Sequence, residues 1–454
     1  MPDLRAEYDV VVVGGGTGGV PAAIAAARNG MSVLLIEKNG FLGGLTTGGL
    51  TIPVWPHWTG GRSGEGPREY FIKGIYTEIR DRLNELGALA PDERTADEEI
   101  LKFVLQELCL EAGVQLLFHS FVFRLTKNGR RVTTIEIANK SGSRSFSARV
   151  FIDGTGDADL VALAGGQWLK GRDSDGATQP MTMTFRLGGV DTDKLAQDSP
   201  YHHSRISARG QGPSEMPEGV ASIHEEYLEA KNREEISDPR PILMYSHYFR
   251  PGIVHFNTTR VQYLDATNAE DLTRAEIAGK RQVIEILKFL KRFPAFADAY
   301  LIQMSSEIGI RETRRIVGDY VLTEEDVLSG RKFEDGIARG HAPVDIHDPD
   351  AQDMSTDVIL KFLPRGTTYD IPYRCLVPKD FDNVLMGSRC LSATHEAHGS
   401  VRMIHHISAV GQAAGTAAAL ACRNDVPCHR IDVEGLRRTL AEQGASIWRE
   451  GMPG

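Results

Sequence analysis

Tyr8-Asp9-Val10-Val11-Val12-Val13-Gly14-Gly15-Gly16-Thr17-Gly18-Gly19-Val20-Pro21-Ala22-Ala23-Ile24-Ala25-Ala26-Ala27-Arg28 stands near the start of the chain and decides its fold. The β-branched run Val10 to Val13 reads as a parallel strand buried on both faces. It breaks at a run of glycines and passes into a helix of small residues. Pro21 is tolerated there because it falls in the first turn, where its missing N–H has no intrahelical partner. Gly30 ends the helix, and Ser32 to Ile36 form a second buried strand, closed by Glu37. Strand, turn, helix and strand within about 30 residues make the right-handed crossover unit of a doubly wound sheet.

The glycines fit a nucleotide. Gly14 permits the tight turn, Gly16 lets the backbone approach a pyrophosphate, and Gly19 lets the helix pack against the sheet. Thr17 and Gly18 lie between them at the helix start, where unpaired N–H groups favour negative charge. Glu37, 18 positions beyond Gly19, is placed to accept hydrogen bonds from ribose hydroxyls, and its charge disfavours a 2′-phosphate. A second glycine-rich loop follows directly, Glu37-Lys38-Asn39-Gly40-Phe41-Leu42-Gly43-Gly44. An NAD dehydrogenase has no need of it, whereas FAD must thread a long ribityl chain past it. Far along the chain, the strand Val384 to Gly387 precedes a small-residue helix, expected over Ile407 to Cys422. Its start is expected to carry Gly411-Gln412-Ala413-Ala414-Gly415 and to face developing flavin charge.

Around this unit the chain is that of an ordinary soluble globular protein. It has 454 residues, 41% hydrophobic and 25% charged, enough for two or three domains. Its formal charge of −10 lacks the footprint of a nucleic-acid binder. No apolar run reaches membrane-spanning length and no signal peptide is evident, so a cytoplasmic location is expected. The five cysteines contain no C-x-x-C pair, which argues against a disulfide scaffold or a zinc ribbon. Helices are expected over Ile72 to Leu86, Glu98 to Glu111, Ala158 to Ala164, Asp271 to Phe289 and Phe296 to Tyr300. Phe121 to Ile152 reads as an antiparallel meander. Met181 to Leu187, Leu243 to Phe249 and Ile253 to Thr258 alternate as strands, and Ser199 to Gly219 reads as a loop or lid.

The chain resembles the FAD-dependent oxidoreductases of the glutathione-reductase-like flavoprotein class. The matching motifs are the N-terminal G-G-G-x-G-G, the E-K-x-G-x-L-G-G loop and the helix G-Q-A-A-G-x-A-A-A-L-A from Gly411. Asp153-Gly154-Thr155-Gly156-Asp157-Ala158, Gly309 to Arg314, Ile371 to Arg374 and Ser392 to Arg402 match as well. The resemblance implies FAD held by Gly14, Gly16, Gly19, Glu37, Lys38, Gly43, Gly44, Gly156 and the Gly411–Gly415 segment. Thr17, Gly18, Gly387 and Gln412 complete the expected cofactor contacts. The implied fold is α/β: a Rossmann-like FAD-binding domain (parallel sheet plus antiparallel meander) with a second α+β substrate domain on an antiparallel sheet. The expected boundaries are 1–166 for the FAD domain, with an excursion at 41–100, then 167–374 for the substrate domain and 375–454 returning to the first. The loop Gly43 to Thr47 lacks the redox cysteines of the disulfide reductases. A second nucleotide motif is missing too, because Asp159 stands where the third glycine after Gly154-x-Gly156 belongs.

Dehydrogenation by a flavin needs a base for the proton the substrate loses. His395 is the first candidate, since it lies between the strand ending at Gly387 and the expected flavin-facing helix. Arg402 is the candidate anchor for a substrate carboxylate or reduced-flavin charge. Arg311 and Arg374 are further candidates, at the return from the second domain to the first. Glu312 and Arg315 read as an internal ion pair. His395 and His398 are spaced i and i+3 rather than the i and i+4 of a zinc protease, so no metal is expected. Tyr245, His247 and Phe249 share a strand face that could roof the flavin, although core packing is the commoner explanation for such aromatics. His57, between Trp55 and Trp58, could touch substrate or pin its loop.

The expected activity is an FAD-dependent dehydrogenase or oxidase that takes a hydride from a small, polar, carboxylate-bearing substrate. Electrons would pass on to oxygen, a quinone or another acceptor. The alternatives are an NAD(P)H-dependent hydroxylase and, more remotely, a tRNA-modifying flavoprotein. Nucleic-acid and membrane-spanning partners are not expected, and a homo-oligomer is compatible with the sequence.

Overall fold

Val10, Val11 and Val12 are fully buried in the strand Glu7–Val13, as a parallel strand covered on both faces requires. The computed structural model describes residues 4–52, 54, 56–59, 69–198, 218–351 and 358–447. Trp55 and positions 199–217 of the expected lid lie outside them. Gly19–Arg28 is the crossover helix, and Val33–Ile36 is the neighbouring strand, paired in parallel from Val10↔Val33 to Val13↔Ile36.

The sheet runs Gln115–Leu117, Val33–Ile36, Glu7–Val13, Gly142–Asp153, Arg131–Asn139, Phe121–Asn128. Gly142–Asp153 is long enough to serve two partners on one edge. Its first half pairs antiparallel with Arg131–Asn139 to make the meander. Its last three residues pair in parallel with Val384–Met386, which occupies the edge the meander vacates. A second sheet of four antiparallel strands has the order Tyr245–His247, Val254–Phe256, Phe185–Gly188, Tyr300–Met304.

Each sheet has its own core. The first draws on residues from Tyr8 to Ile447, including Ile316, Val344, Tyr369 and Ile371. The second is confined to Met181 through Ile308, where Phe185 and Phe256 stack with ring centroids 4.7 Å apart. The long helix Ala269–Leu290 covers this sheet and is capped by the Asn268 side chain, which accepts from the Glu270 and Asp271 N–H groups.

Two local expectations are corrected. Phe296 to Tyr300 is not a helix: a 3-10 turn at Pro294–Phe296 leads into the strand Tyr300–Met304, whose Tyr300 pairs with Gly188. The C-terminal small-residue helix is longer than expected, Ile404–Asn424, so Gly411, Gln412 and Gly415 lie in its interior and not at its start. Tyr245 and His247 lie on the core-packing side: they share the register face of Phe256, Val254, Phe185 and Leu187, the face of the second core. Phe249, beyond the strand end, packs against Tyr248 with the rings tilted by 45°.

Candidate active site

A cleft opens where the parallel strands end, the position at which α/β sheets bind ligands. Gly14, Gly16, Thr17, Gly18, Glu37, Lys38, Gly44 and Gly156 line one end of it. Gly14 has φ +96°, and a Cβ there would lie 2.6 Å from the Gly154 backbone, so this corner admits glycine alone. A Cβ on Gly16 would meet nothing nearer than the Gly154 carbonyl oxygen at 3.7 Å and would project into the open cradle. Gly18 is the N-cap of the crossover helix and brings no side chain to it; Val20 N–H donates to Gly16 O at 3.1 Å and Pro21 has no N–H, so the helix start offers a ligand anion mainly the positive end of its dipole.

Glu37 completes the fit. Its Oε2 accepts the Gly15 N–H at 2.7 Å and its Oε1 the Asn39 N–H at 2.8 Å. Each oxygen keeps a lone pair for a ribose hydroxyl. Burial pushes the Glu37 carboxyl above its ordinary range, against the pull of those two N–H groups. Residues that cradle a pyrophosphate beside a ribose acceptor therefore suit FAD. Glu37→Ala is expected to weaken FAD retention by roughly 10- to 150-fold, the equivalent of about 1.5–3 kcal/mol for hydrogen bonds to a charged group. Flavin content after gel filtration and a direct FAD titration of the apoprotein check it, and wild-type affinity would contradict it.

The remaining expected cofactor residues divide. Gly43 N–H donates to Gly15 O at 2.8 Å, which zips the second glycine loop to the first, and Thr17 Oγ1 meets Thr46 Oγ1 at 2.8 Å. Lys38 pairs with Glu307 across the cleft at 3.0 Å. Gly19, Gly387, Gly411 and Gly415 are absent from the lining and serve close packing instead. A Cβ would lie 1.9 Å from Gly14 O at Gly19, 2.0 Å from Gly18 O at Gly411 and 2.0 Å from Ala22 O at Gly415. At Gly387 it would lie 2.8 Å from the Ile152 side chain. Gln412 Oε1 accepts the Ile75 N–H at 3.0 Å. The helix start itself, Met403 and Ile404, lines the cleft with Ile407. Ser388 and Arg389 also line it, and Arg389 Nη2 donates to Asp157 Oδ1 at 3.0 Å. Sequence reading missed both because it stopped at Gly387.

The far end of the cleft is polar. Thr182, Thr184 and Asn257 come from the side of the second sheet, and Arg311, Asp345, His347 and Arg402 converge on the same space. Arg311 Nη1 donates to Pro180 O at 2.6 Å and Thr182 Oγ1 at 2.7 Å. Arg402 Nη2 donates to the Asp345 carbonyl at 3.0 Å and lies 3.8 Å from Asp345 Oδ2. Its Nε is buried with no hydrogen-bond partner among the described residues. Burial holds the Arg402 guanidinium below its usual range, with Asp345 and Glu312 opposing.

The other two candidates lie elsewhere. His395, the first residue of the helix His395–Val401, is buried outside the cleft lining, its Nδ1 2.9 Å from Glu312 Oε1. Glu312 is also ion-paired to the buried Arg315. Arg374 is corrected outright: its guanidinium is half-exposed, held by Asp335 at 2.9 and 3.1 Å and lying over the Tyr320 ring, away from the cleft. Its charge is thus satisfied by Asp335. His57 is fully buried among Trp58, Tyr70 and Tyr76 and pins its loop. No group of three or more His, Cys, Asp or Glu side chains arranged for a metal ion occurs among the described residues. No helix among them is long and apolar enough to cross a membrane.

Comparison with known proteins follows this geometry. The family model described as FAD dependent oxidoreductase matches residues 9–440. A 94-residue segment is 33% identical to the soluble pyridine nucleotide transhydrogenase of Mycobacterium bovis, covering 21% of this chain and 20% of that protein. A 177-residue segment is 55% identical to the digeranylgeranylglycerophospholipid reductase of Methanocella arvoryzae, covering 36% of this chain and 42% of that one. The matches thus span from about a fifth to two fifths of these relatives. Among solved structures, a geranylgeranyl bacteriochlorophyll reductase-like protein of Thermoplasma acidophilum aligns with a TM-score of 0.43. The identity is 14%, over 96% of this chain and 84% of that one.

Proposed function

The chain belongs to the FAD dependent oxidoreductase family, and we propose that within it the protein is a dehydrogenase or oxidase of a small, polar, carboxylate-bearing substrate. FAD is its cofactor. We place it in the glutathione-reductase-like class on the motifs at Gly14–Gly19 and Glu37–Gly44. The stretches 1–166 and 375–454 form the FAD side and 167–374 supplies the substrate side.

When bound, FAD supplies a two-electron acceptor for hydride chemistry. Gly14, Gly16, Thr17 and Gly18 hold its pyrophosphate, Glu37 its ribose, and Gly43, Gly44, Gly156 and Arg389 the stretch beyond. The start of the helix at Met403–Ile404 lies on the cleft, with the positive end of its dipole there. Arg311 and Arg402 bind and orient the substrate from opposite elements. His395 acts from behind, through Glu312.

One observation carries the reading: two guanidinium groups, of Arg311 and Arg402, line the polar end of the FAD cleft. Guanidinium groups are the side chains best suited to bind a carboxylate. The test is anaerobic mixing of the purified holoenzyme with hydroxy acids, amino acids and polyols while flavin absorbance is followed. Bleaching by members of the carboxylate classes is expected. Bleaching by uncharged polyols with none by carboxylates would contradict the reading.

A further inference from the structure

Val344-Asp345-Ile346-His347 is a buried strand paired with Val358–Lys361. Its alternation sends Val344 and Ile346 into the first core and sets Asp345 and His347 on the other face, where both line the cleft. Polar residues at less than a tenth exposure on a strand are costly to bury unless they serve a partner. Nothing in the roles assigned above uses them.

Their surroundings sort their chemistry. Arg260 Nη2 lies 3.3 Å from His347 Nδ1. An arginine can only donate, so Nδ1 accepts and the imidazole is neutral with its proton on Nε2. That Nε2–H stands 3.6 Å from Asp345 Oδ1. His347 therefore presents no free basic nitrogen to the cleft. Asp345 does present a carboxylate, flanked by Arg402 at 3.8 Å. Gln179 Oε1 fixes the arrangement by accepting from the His347 backbone N–H at 3.2 Å and from Arg402 Nη2 at 3.4 Å.

We propose that Asp345 is the proton acceptor of the cleft, with His347 as its positioning residue. The proposal rests on the carboxylate reading above. The substrate O–H or N–H bond breaks and its proton goes to the Asp345 carboxylate. The electron pair of the adjacent C–H bond leaves with its hydrogen to FAD, and the substrate is oxidised by two electrons to a carbonyl or imine.

The charged and titratable groups around Asp345 are known. Arg402 comes from the end of the His395–Val401 helix, His347 from the same strand, and Arg260 acts through His347. Glu312 and Arg389 act on Arg402. Arg311 lies along the same cleft. The paired strand sets uncharged Leu360 opposite Asp345. On the neighbouring helix Glu324–Leu328, Glu324 pairs with Lys361 and Asp326 with Arg331.

Sodium acetate and the hydroxy-acid and amino-acid panel are the probes, with the flavin absorbance of the holoenzyme as the readout. Wild type and Asp345→Asn are both expected to retain FAD and to bind acetate, because Arg402 is intact in each. Asp345→Asn is expected to lose roughly 100- to 10,000-fold in the anaerobic bleaching rate with the panel member that bleaches wild type, the size of a general-base contribution. Asp345→Glu is expected to recover part of that rate. Bleaching of acetate-binding Asp345→Asn at the wild-type rate would overturn the inference while leaving the carboxylate reading intact. Failure of wild type to bind acetate at all would overturn that reading, and the inference with it.

Discussion

Arg402→Met is expected to weaken carboxylate binding and kcat/KM by roughly 30- to 5,000-fold, the equivalent of about 2–5 kcal/mol for truncating a buried, hydrogen-bonded charge partner. Methionine keeps comparable bulk and removes the donors. The Asp345 carbonyl loses its 3.0 Å contact and the Asp345 carboxylate loses its nearest cation. FAD content is expected to stay at the wild-type level, because the residues proposed to hold the pyrophosphate and ribose lie at the other end of the cleft. Acetate titration and steady-state kinetics with the substrate found in the panel check it. Wild-type acetate affinity in Arg402→Met would remove the anchor from the account.

Gly411→Val is expected to cost about 3 kcal/mol or more of stability, the upper end for overpacking, because neither side of the contact can yield. The first added atom falls 2.0 Å from Gly18 O, a backbone atom at the cap of the crossover helix, and both helices are buried. Any shift that relieves the clash moves Gly18 and its neighbours, which line the nucleotide end. The variant is therefore expected to lose FAD as well as thermal stability. Melting temperature and flavin content of the purified variant read both. A variant with wild-type melting temperature and bound FAD would contradict the packing argument.

The parts of this molecule that are legible in sequence share one property: their reasons are local. Val10 to Val13, Gly14 to Gly19 and Glu37 are each decided by backbone conformation or by a ligand that contacts consecutive residues. The structure places Gly14, Gly16, Thr17, Gly18, Glu37, Lys38, Gly44 and Gly156 around one cleft. What escaped reading is long-range. Gly411 and Gly415 read as a helix start facing the flavin, but their smallness serves a helix crossing with Gly18 and Ala22, nearly 400 residues away in sequence. Arg374 carries the right charge in the right stretch, yet Asp335 satisfies it. Asp345 and His347 left a readable trace, polar residues alternating with Val344 and Ile346. Only the strand's position beside Arg402 gives that trace a meaning.

The central claim is that electrons enter FAD from a substrate held between Arg402 and Asp345 and not from a nicotinamide. The most direct measurement is anaerobic mixing of the FAD-loaded protein with NADH and, separately, NADPH, while flavin absorbance is followed. The account predicts no rapid bleaching by either. Rapid bleaching by one of them would contradict it and move the protein to the nicotinamide-dependent hydroxylase or reductase reading.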